Sequence, residues 1–412
     1  MSASSNDSPN ESGWTNMKAV ILAAGEGARM GPFTASVPKV MIPVGNRPIL
    51  EYVVHSLVQG GLRDLIVVVG YRRERIMAHF QDGKPFGARV TYVTEAKQLG
   101  TAHALAEARP QLDKEFLVFN GSNLVDAEFV ATLTDLPAGP AIAVTESDRP
   151  KEYGVVTERG ERLAEIAEHP REVTSNLINT GSYRLDPSIF PEIDRLAADG
   201  IHDLPAVLSS WAEDQRIATV RAKGMWLDAR YPWDLLRLNE ASLLQTADLR
   251  AGTIEPAVTI RGRVTIGEGS VVRSGAYLQG PLSLGPGCEI GPNAVLLPTT
   301  SLGKNVRIGA NTTVADSILM DDVNLGPASV VQDSVIGSGV AAKAGLLAAS
   351  GPADIQVEGE WHSVKQIGAL LGEDSWIGSG VSVACGTVVG ERARAENGAR
   401  LRGTISPGAV VL

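Results

Sequence analysis

Between positions 254 and 314 an aliphatic side chain recurs at every sixth residue: Ile254, Ile260, Ile266, Val272, Leu278, Leu284, Ile290, Leu296, Leu302, Ile308 and Val314. Six residues per side and three sides per coil describe a parallel β-helix, in which stacked aliphatics fill the axis and backbone hydrogen bonds run between coils. Glycine often follows these positions, as at Gly267, Gly285, Gly291, Gly303 and Gly309, and suits the corners between short strands. The spacing falters after Met320, resumes out of register at Leu325, Val331 and Ile336, and returns at Ile377, Val383 and Val389. Residues 341–361 read as a loop interrupting the repeat. A prism of this kind presents flat faces, so self-association into a homo-oligomer is expected.

The first half of the chain is patterned differently. Short apolar runs at 19–22, 65–69, 90–93, 116–119, 141–144 and 217–220 alternate with helical patterns, which is the signature of a mostly parallel, Rossmann-like α/β sheet. At 412 residues the chain exceeds what a single core usually holds. The division expected is a polar, disordered tail over 1–16, an α/β domain over 17–245 and a β-helix over 250–412, with a helix at 233–249 leading from one to the other. A net charge of −10 argues against nucleic acid and anionic membrane as partners. No apolar run approaches the roughly 20 residues that span a bilayer. The two cysteines, Cys288 and Cys385, lie far apart and signal neither a disulfide framework nor a zinc site, which fits a reducing cytoplasm.

The first apolar run ends in Leu22-Ala23-Ala24-Gly25-Glu26-Gly27-Ala28-Arg29, and Pro38-Lys39 follows. Glycines after a buried strand let backbone N–H groups, here around Ala24, Gly25 and Gly27, approach phosphate oxygens with no side chain between them. Arg29 and Lys39 add the positive charge a nucleoside triphosphate requires. In open α/β sheets such ligands bind beyond the carboxyl ends of the strands.

Further motifs carry a family resemblance. They are Gln-Leu-Gly-Thr-Ala-His-Ala at 98–104, Tyr-Gly-Val-Val at 153–156, Asn-Thr-Gly at 179–181 and Trp-Leu-Asp at 226–228. With the glycine turn and the hexapeptide repeat, they make nearly the whole chain resemble the archaeal-type bifunctional sugar-1-phosphate nucleotidylyltransferases/acetyltransferases, whose β-helix is left-handed. The resemblance implies attack of a sugar 1-phosphate oxygen on the α-phosphorus of a nucleoside triphosphate, with pyrophosphate leaving, a reaction served by charge neutralisation and in-line positioning. It implies that the turn and Arg29 hold the triphosphate and that Lys39 sits between the reacting phosphates. Glu95, Gly100 and Thr101 would meet the base, and Gly154, Glu168, Asn179 and Gly181 would line the sugar pocket. Magnesium would be held by Asp228 and by the residue at position 122.

Both centres depart from the family pattern. Position 122 is Ser where the resemblance calls for Asp, and a neutral hydroxyl is a poor substitute because magnesium favours anionic oxygens. Asp126 is nearby in sequence. Glu95 stands where a Gln is usual, and a carboxylate only accepts hydrogen bonds. His169 replaces a common Lys. In the β-helix, Gly326-Pro327 stands where a Gly-His pair would supply the general base, with Val330 and Ala349 in place of a Tyr and an Asn. His362, in the expected loop, reads as an ordinary surface histidine. These departures imply a protein that binds a nucleoside triphosphate or sugar nucleotide, keeps a weakened magnesium site and makes no use of acetyl-coenzyme A. Its role would be that of a regulatory subunit for an active paralogue. The alternative is an active nucleotidylyltransferase carrying an inactive acetyltransferase-like domain.

Overall fold

A computed structural model describes residues 17–412 except positions 169 and 171. The tail at 1–16 and His169 therefore lie outside the described residues. The chain divides into two compact units: one runs to Glu26 and resumes over Ile49–Leu227, and the other comprises Gly27–Pro48 and Asp228–Leu412.

The first unit is built on β1 (Lys18–Ala23), β2 (Asp64–Val69), β3 (Arg89–Thr94), β4 (Phe116–Asn120), β5 (Asn123–Val125), β6 (Ala141–Glu146), β7 (Gly154–Glu158), β8 (Leu163–Glu168), β9 (Leu177–Leu185), β10 (Ala218–Arg221) and β11 (Trp226–Asp228). Strands β4, β1, β2 and β3 lie side by side and parallel. Val20, Val67, Val68 and Val118 are fully or almost fully buried, as expected of central parallel strands covered on both faces. Beyond β4 the sheet turns antiparallel, with β9 pairing β4, β6 and β7, and β7 pairing β8. Strand β10 joins β6 in parallel, and β11 forms a separate ribbon with β5. The α/β reading therefore holds for a mixed sheet, and three of its strands, β7 to β9, are not visible in the pattern of apolar runs. Leu163 and Ile166 are spaced as on a helix, and polar Asn179 and Thr180 break the apolar run of β9.

Among the described residues six helices belong to this unit, α1 (Ile49–Gln59), α2 (Arg73–Phe80), α3 (Thr101–Glu107), α4 (Ala127–Thr134), α5 (Phe190–Ala198) and α6 (Leu204–Asp214), and α7 (Asp234–Leu244) belongs to the second. Helix α7 is shorter than the 233–249 expected, and Leu249–Arg250 already forms the first short strand of the repeat. No helix among the described residues is long and apolar enough to cross a membrane.

The second unit is a left-handed parallel β-helix. Its short strands stack into three sheets of nine, nine and eight strands, and the axis is filled by Ile266, Leu284, Leu302, Leu319, Ile336, Leu371 and their counterparts on the other two sides. The out-of-register stretch has a simple cause: Leu284 pairs with Leu302, eighteen residues on, whereas Leu302 pairs with Leu319 and Leu319 with Ile336, seventeen on. The shortened sides turn at Asp316 and Asp333, both in left-handed backbone. The break expected at 341–361 lies elsewhere. Ala341–Ala342 and Leu347–Ala348 are regular coil strands, hidden from an aliphatic count because alanine fills the axis, and the true insertion is a hairpin of Gly351–Val357 and Glu360–Ile367. Gly27–Pro48 belongs with this unit through long-range hydrogen bonds: Gly45 N–H donates to Asn239 Oδ1 at 2.7 Å, and Asn46 Nδ2 donates to Ser283 Oγ at 3.0 Å.

Candidate functional site

In the first unit, β1 delivers Ala24 and Gly25 at its carboxyl end. Tyr71 N–H donates to the Ala24 carbonyl at 3.0 Å, which fixes the turn against the end of β2. A Cβ on Gly25 would meet nothing within 4 Å, so the backbone there faces open space. In the second unit, Gly27 has a φ of 74°, and a Cβ on it would stand 2.5 Å from Lys39 Cβ. Glycine is required at this point both by the left-handed backbone and by the close approach of the lysine. Lys39 opens a single 3-10 turn over Lys39–Met41, anchored by buried Val40 and Ile42. Arg29 lies on a similar turn, Ala28–Met30, and its Nε donates to Glu358 Oε2 at 2.8 Å. That carboxylate holds the guanidinium above its ordinary range.

Glu95 follows β3 and is 3% exposed, with Oε1 accepting from His103 Nδ1 at 2.7 Å. His103 sits on α3 and is the partner that the motif at 98–104 did not reveal as such. The carboxylate is thereby oriented with one oxygen committed. Gly100 and Thr101 do structural work beside any role toward a base. A Cβ on Gly100 would come within 2.5 Å of the His202 carbonyl, and Thr101 Oγ1 accepts from Leu204 N–H at the start of α6.

The residues expected around a sugar come together in the antiparallel half. Gly154 and Glu168 are paired across β7 and β8, and a Cβ on Gly154 would clash with Glu168 Oε1. Asn179 is held at both ends of its amide: Nδ2 donates to Tyr183 Oη at 2.7 Å, and Oδ1 accepts from Gly181 N–H at 3.0 Å. Gly181 is in left-handed backbone, and a Cβ there would overlap the Asn120 side chain. Trp226 closes the cluster, donating from Nε1 to the Thr180 carbonyl at 3.1 Å and meeting the Tyr153 ring edge-on at 5.8 Å. Tyr183, buried among these groups, has its phenol pushed well above the ordinary tyrosine range by desolvation. No motif singled it out, and it stands four residues beyond Asn179 on β9.

Ser122 follows Gly121, whose N–H donates to the Leu22 carbonyl at 2.9 Å, so the Asn120-Gly121-Ser122 turn lies beside the end of β1. Asp126 is engaged by two backbone N–H groups. Its Oδ1 accepts from Phe129 N–H as the N-cap of α4, and its Oδ2 accepts from Met225 N–H at 3.0 Å. Asp228 ends β11, the ribbon partner of β5. Among the described residues no group of three or more His, Cys, Asp or Glu side chains is arranged to hold a metal ion.

In the β-helix, Gly326 and Pro327 form a coil corner: Gly326 N–H donates to the Ala342 carbonyl, and the Pro327 carbonyl accepts from Gly345 N–H. His362 is not a loop residue. It lies on the second strand of the hairpin, with its ring 4.4 Å from Tyr231 and 5.7 Å from Trp233, two rings that are themselves stacked 4.8 Å apart.

Comparison with known proteins places this geometry. Residues 18–243 match the family described as nucleotidyl transferase, and residues 278–345 match the GMPPB C-terminal domain. The bifunctional protein GlmU of Methanococcus maripaludis strain S2 is 34% identical over 387 residues, covering 91% of this chain and 92% of that protein. A bifunctional sugar-1-phosphate nucleotidylyltransferase/acetyltransferase of Sulfurisphaera tokodaii is 32% identical over 406 residues, covering 96% and 97%. A solved structure described as a glucose-1-phosphate thymidylyltransferase of Bacillus anthracis aligns with a TM-score of 0.51 at 27% identity, covering 55% of this chain and 95% of that one. The chain belongs to the nucleotidyl transferase family, in the archaeal bifunctional sugar-1-phosphate nucleotidylyltransferase/acetyltransferase branch.

Proposed function

We propose that this protein binds a nucleoside triphosphate or sugar nucleotide, has weakened or lost nucleotidyl transfer, and serves as a regulatory subunit of an active paralogue in nucleotide-sugar metabolism. The observation that carries this reading is the pairing of Ser122 with the commitment of Asp126. The hydroxyl stands where the family resemblance calls for a carboxylate, and the nearest acid in sequence is oriented by the Phe129 and Met225 N–H groups, one on each oxygen. The resemblance assigns magnesium to Asp228 and position 122, and with Ser122 that assignment supplies one carboxylate and one hydroxyl, which does not fit a magnesium site relying on two anionic groups to offset phosphate charge. Binding capacity is supported separately by the Gly27 and Lys39 approach, by Arg29, and by the ordered Glu168, Asn179 and Gly181 cluster.

Loss of acetyl transfer belongs to the same reading. Proline at 327 has no proton-accepting side chain, and its backbone is used to build a coil corner. The flat faces of the β-helix support association into a homo-oligomer, with the paralogue as a further partner.

The test uses the purified chain with magnesium, a panel of sugar 1-phosphates and each of UTP, dTTP and GTP. The reading expects a raised melting temperature with at least one nucleotide or sugar nucleotide and little pyrophosphate release. Robust turnover would establish the second reading, an active nucleotidylyltransferase, which the retention of Arg29, Lys39 and Asp228 favours.

A further inference from the structure

The hairpin that interrupts the β-helix is in register with Val357 opposite Glu360, so Glu358 and Gly359 form a two-residue turn. Both lie at positive φ, 50° and 87°. Turns of this kind favour Asn-Gly, because asparagine tolerates left-handed backbone far better than glutamate does. The turn geometry therefore does not account for the glutamate. Its carboxylate does have a partner: Oε2 accepts from Arg29 Nε at 2.8 Å, across 329 residues of sequence. The side chains are 42% and 49% exposed, so the contact is an ion pair at a surface and not a packing requirement.

Two further features surround this contact. His362, on the second strand, rests against the stacked Tyr231 and Trp233 rings, which ties the hairpin to the segment just after Asp228. Arg29 and Glu358 also stand together on the wall of a cavity of about 310 Å³, lined as well by apolar Ile355, Leu370, Val388 and Ile405 and by polar Gln356, Glu391 and Thr404. Glu360, two residues past the tip, adds negative potential at the same guanidinium.

We propose that Glu358 is an anionic competitor built into the β-helix, a positioning residue that a bound triphosphate must displace from Arg29. This rests on the reading of Arg29 as a triphosphate ligand. It couples the hairpin to nucleotide binding: with no nucleotide the tip is held by Arg29, and with nucleotide bound the tip is released. Because the pair is exposed, the competition is modest, on the order of two- to fivefold in affinity.

The experiment measures binding of UTP, dTTP and GTP with magnesium to the full chain by calorimetry, in Glu358→Asn, Glu358→Gln, Arg29→Ala and the double variant Arg29→Ala/Glu358→Asn. Glu358→Asn suits the turn, so an unchanged melting temperature confirms an intact fold. The proposal expects both single Glu358 variants to bind the preferred nucleotide about two- to fivefold more tightly than the unmodified chain. It expects that gain to vanish on the Arg29→Ala background. It also expects hydrogen exchange at 351–367 to rise when nucleotide binds. Equal or weaker binding by Glu358→Asn, with Arg29→Ala still weakening binding, overturns the competition and leaves the triphosphate reading standing. Absence of nucleotide binding in every variant overturns both.

Discussion

Gly27 and Lys39 approach so closely that a methyl group on the glycine would stand 2.5 Å from Lys39 Cβ, in backbone that is left-handed at φ 74°. Side chain and turn can share this space only while residue 27 has no Cβ. Gly27→Ala combines left-handed strain with an overpacked contact and should weaken triphosphate binding about tenfold. Calorimetry with UTP, dTTP and GTP reads this directly, and unchanged affinity would remove the turn from the binding site.

The proposed base contact rests on Glu95. Its carboxylate, ordered by His103 at 2.7 Å, can accept from a base but cannot donate to a carbonyl. Glu95→Gln restores an amide that does both, and should shift preference toward UTP and dTTP relative to GTP by roughly tenfold. Competition binding among the three nucleotides measures the ratio. A ratio indifferent to the substitution would mean that Glu95 serves only to orient His103.

Much of this architecture is legible in the residues themselves. The six-residue period defines the β-helix because each axis position must be apolar, and the parallel strands announce themselves as unbroken apolar runs. Strands β7 to β9 are obscured because polar residues and a glycine sit within them: Glu168 ends β8, and Asn179 to Gly181 interrupt β9. Ala342 and Ala348 conceal two sides of one coil for the opposite reason, being axis residues too small to register. The contacts of Asp126 with Met225 and of Glu358 with Arg29 cross 99 and 329 residues, and local pattern carries no trace of either.

Stability of the first unit should depend on Arg184, which is 5% exposed and donates to Glu115 Oε2 at 2.6 Å and to the Leu136 carbonyl at 2.7 Å. Glu115→Gln leaves that cation facing a neutral amide. Allowing for solvent access to Glu115, the cost should be about 2 kcal/mol, seen as a lower midpoint of thermal unfolding by circular dichroism. An unmoved midpoint would show that the pair adds nothing.

The two thiols should behave differently in the native protein. Cys288 lies inside the β-helix at 1% exposure, with burial pushing its thiol up to about 11, whereas Cys385 is only half-buried. A thiol-reactive chromogen near pH 8 should therefore modify Cys385 and leave Cys288 intact until denaturant is added. Prompt labelling of Cys288 would contradict the packed axis.

The central claim is that nucleotidyl transfer is limited at residue 122. The most direct measurement is pyrophosphate release by the unmodified chain and by Ser122→Asp, with magnesium, sugar 1-phosphates and each of UTP, dTTP and GTP. Restoring a carboxylate worth roughly 3 to 5 kcal/mol in the transition state should raise the rate about 10²- to 10⁴-fold from a low baseline. A high rate in the unmodified chain, with no gain from Ser122→Asp, would contradict the account.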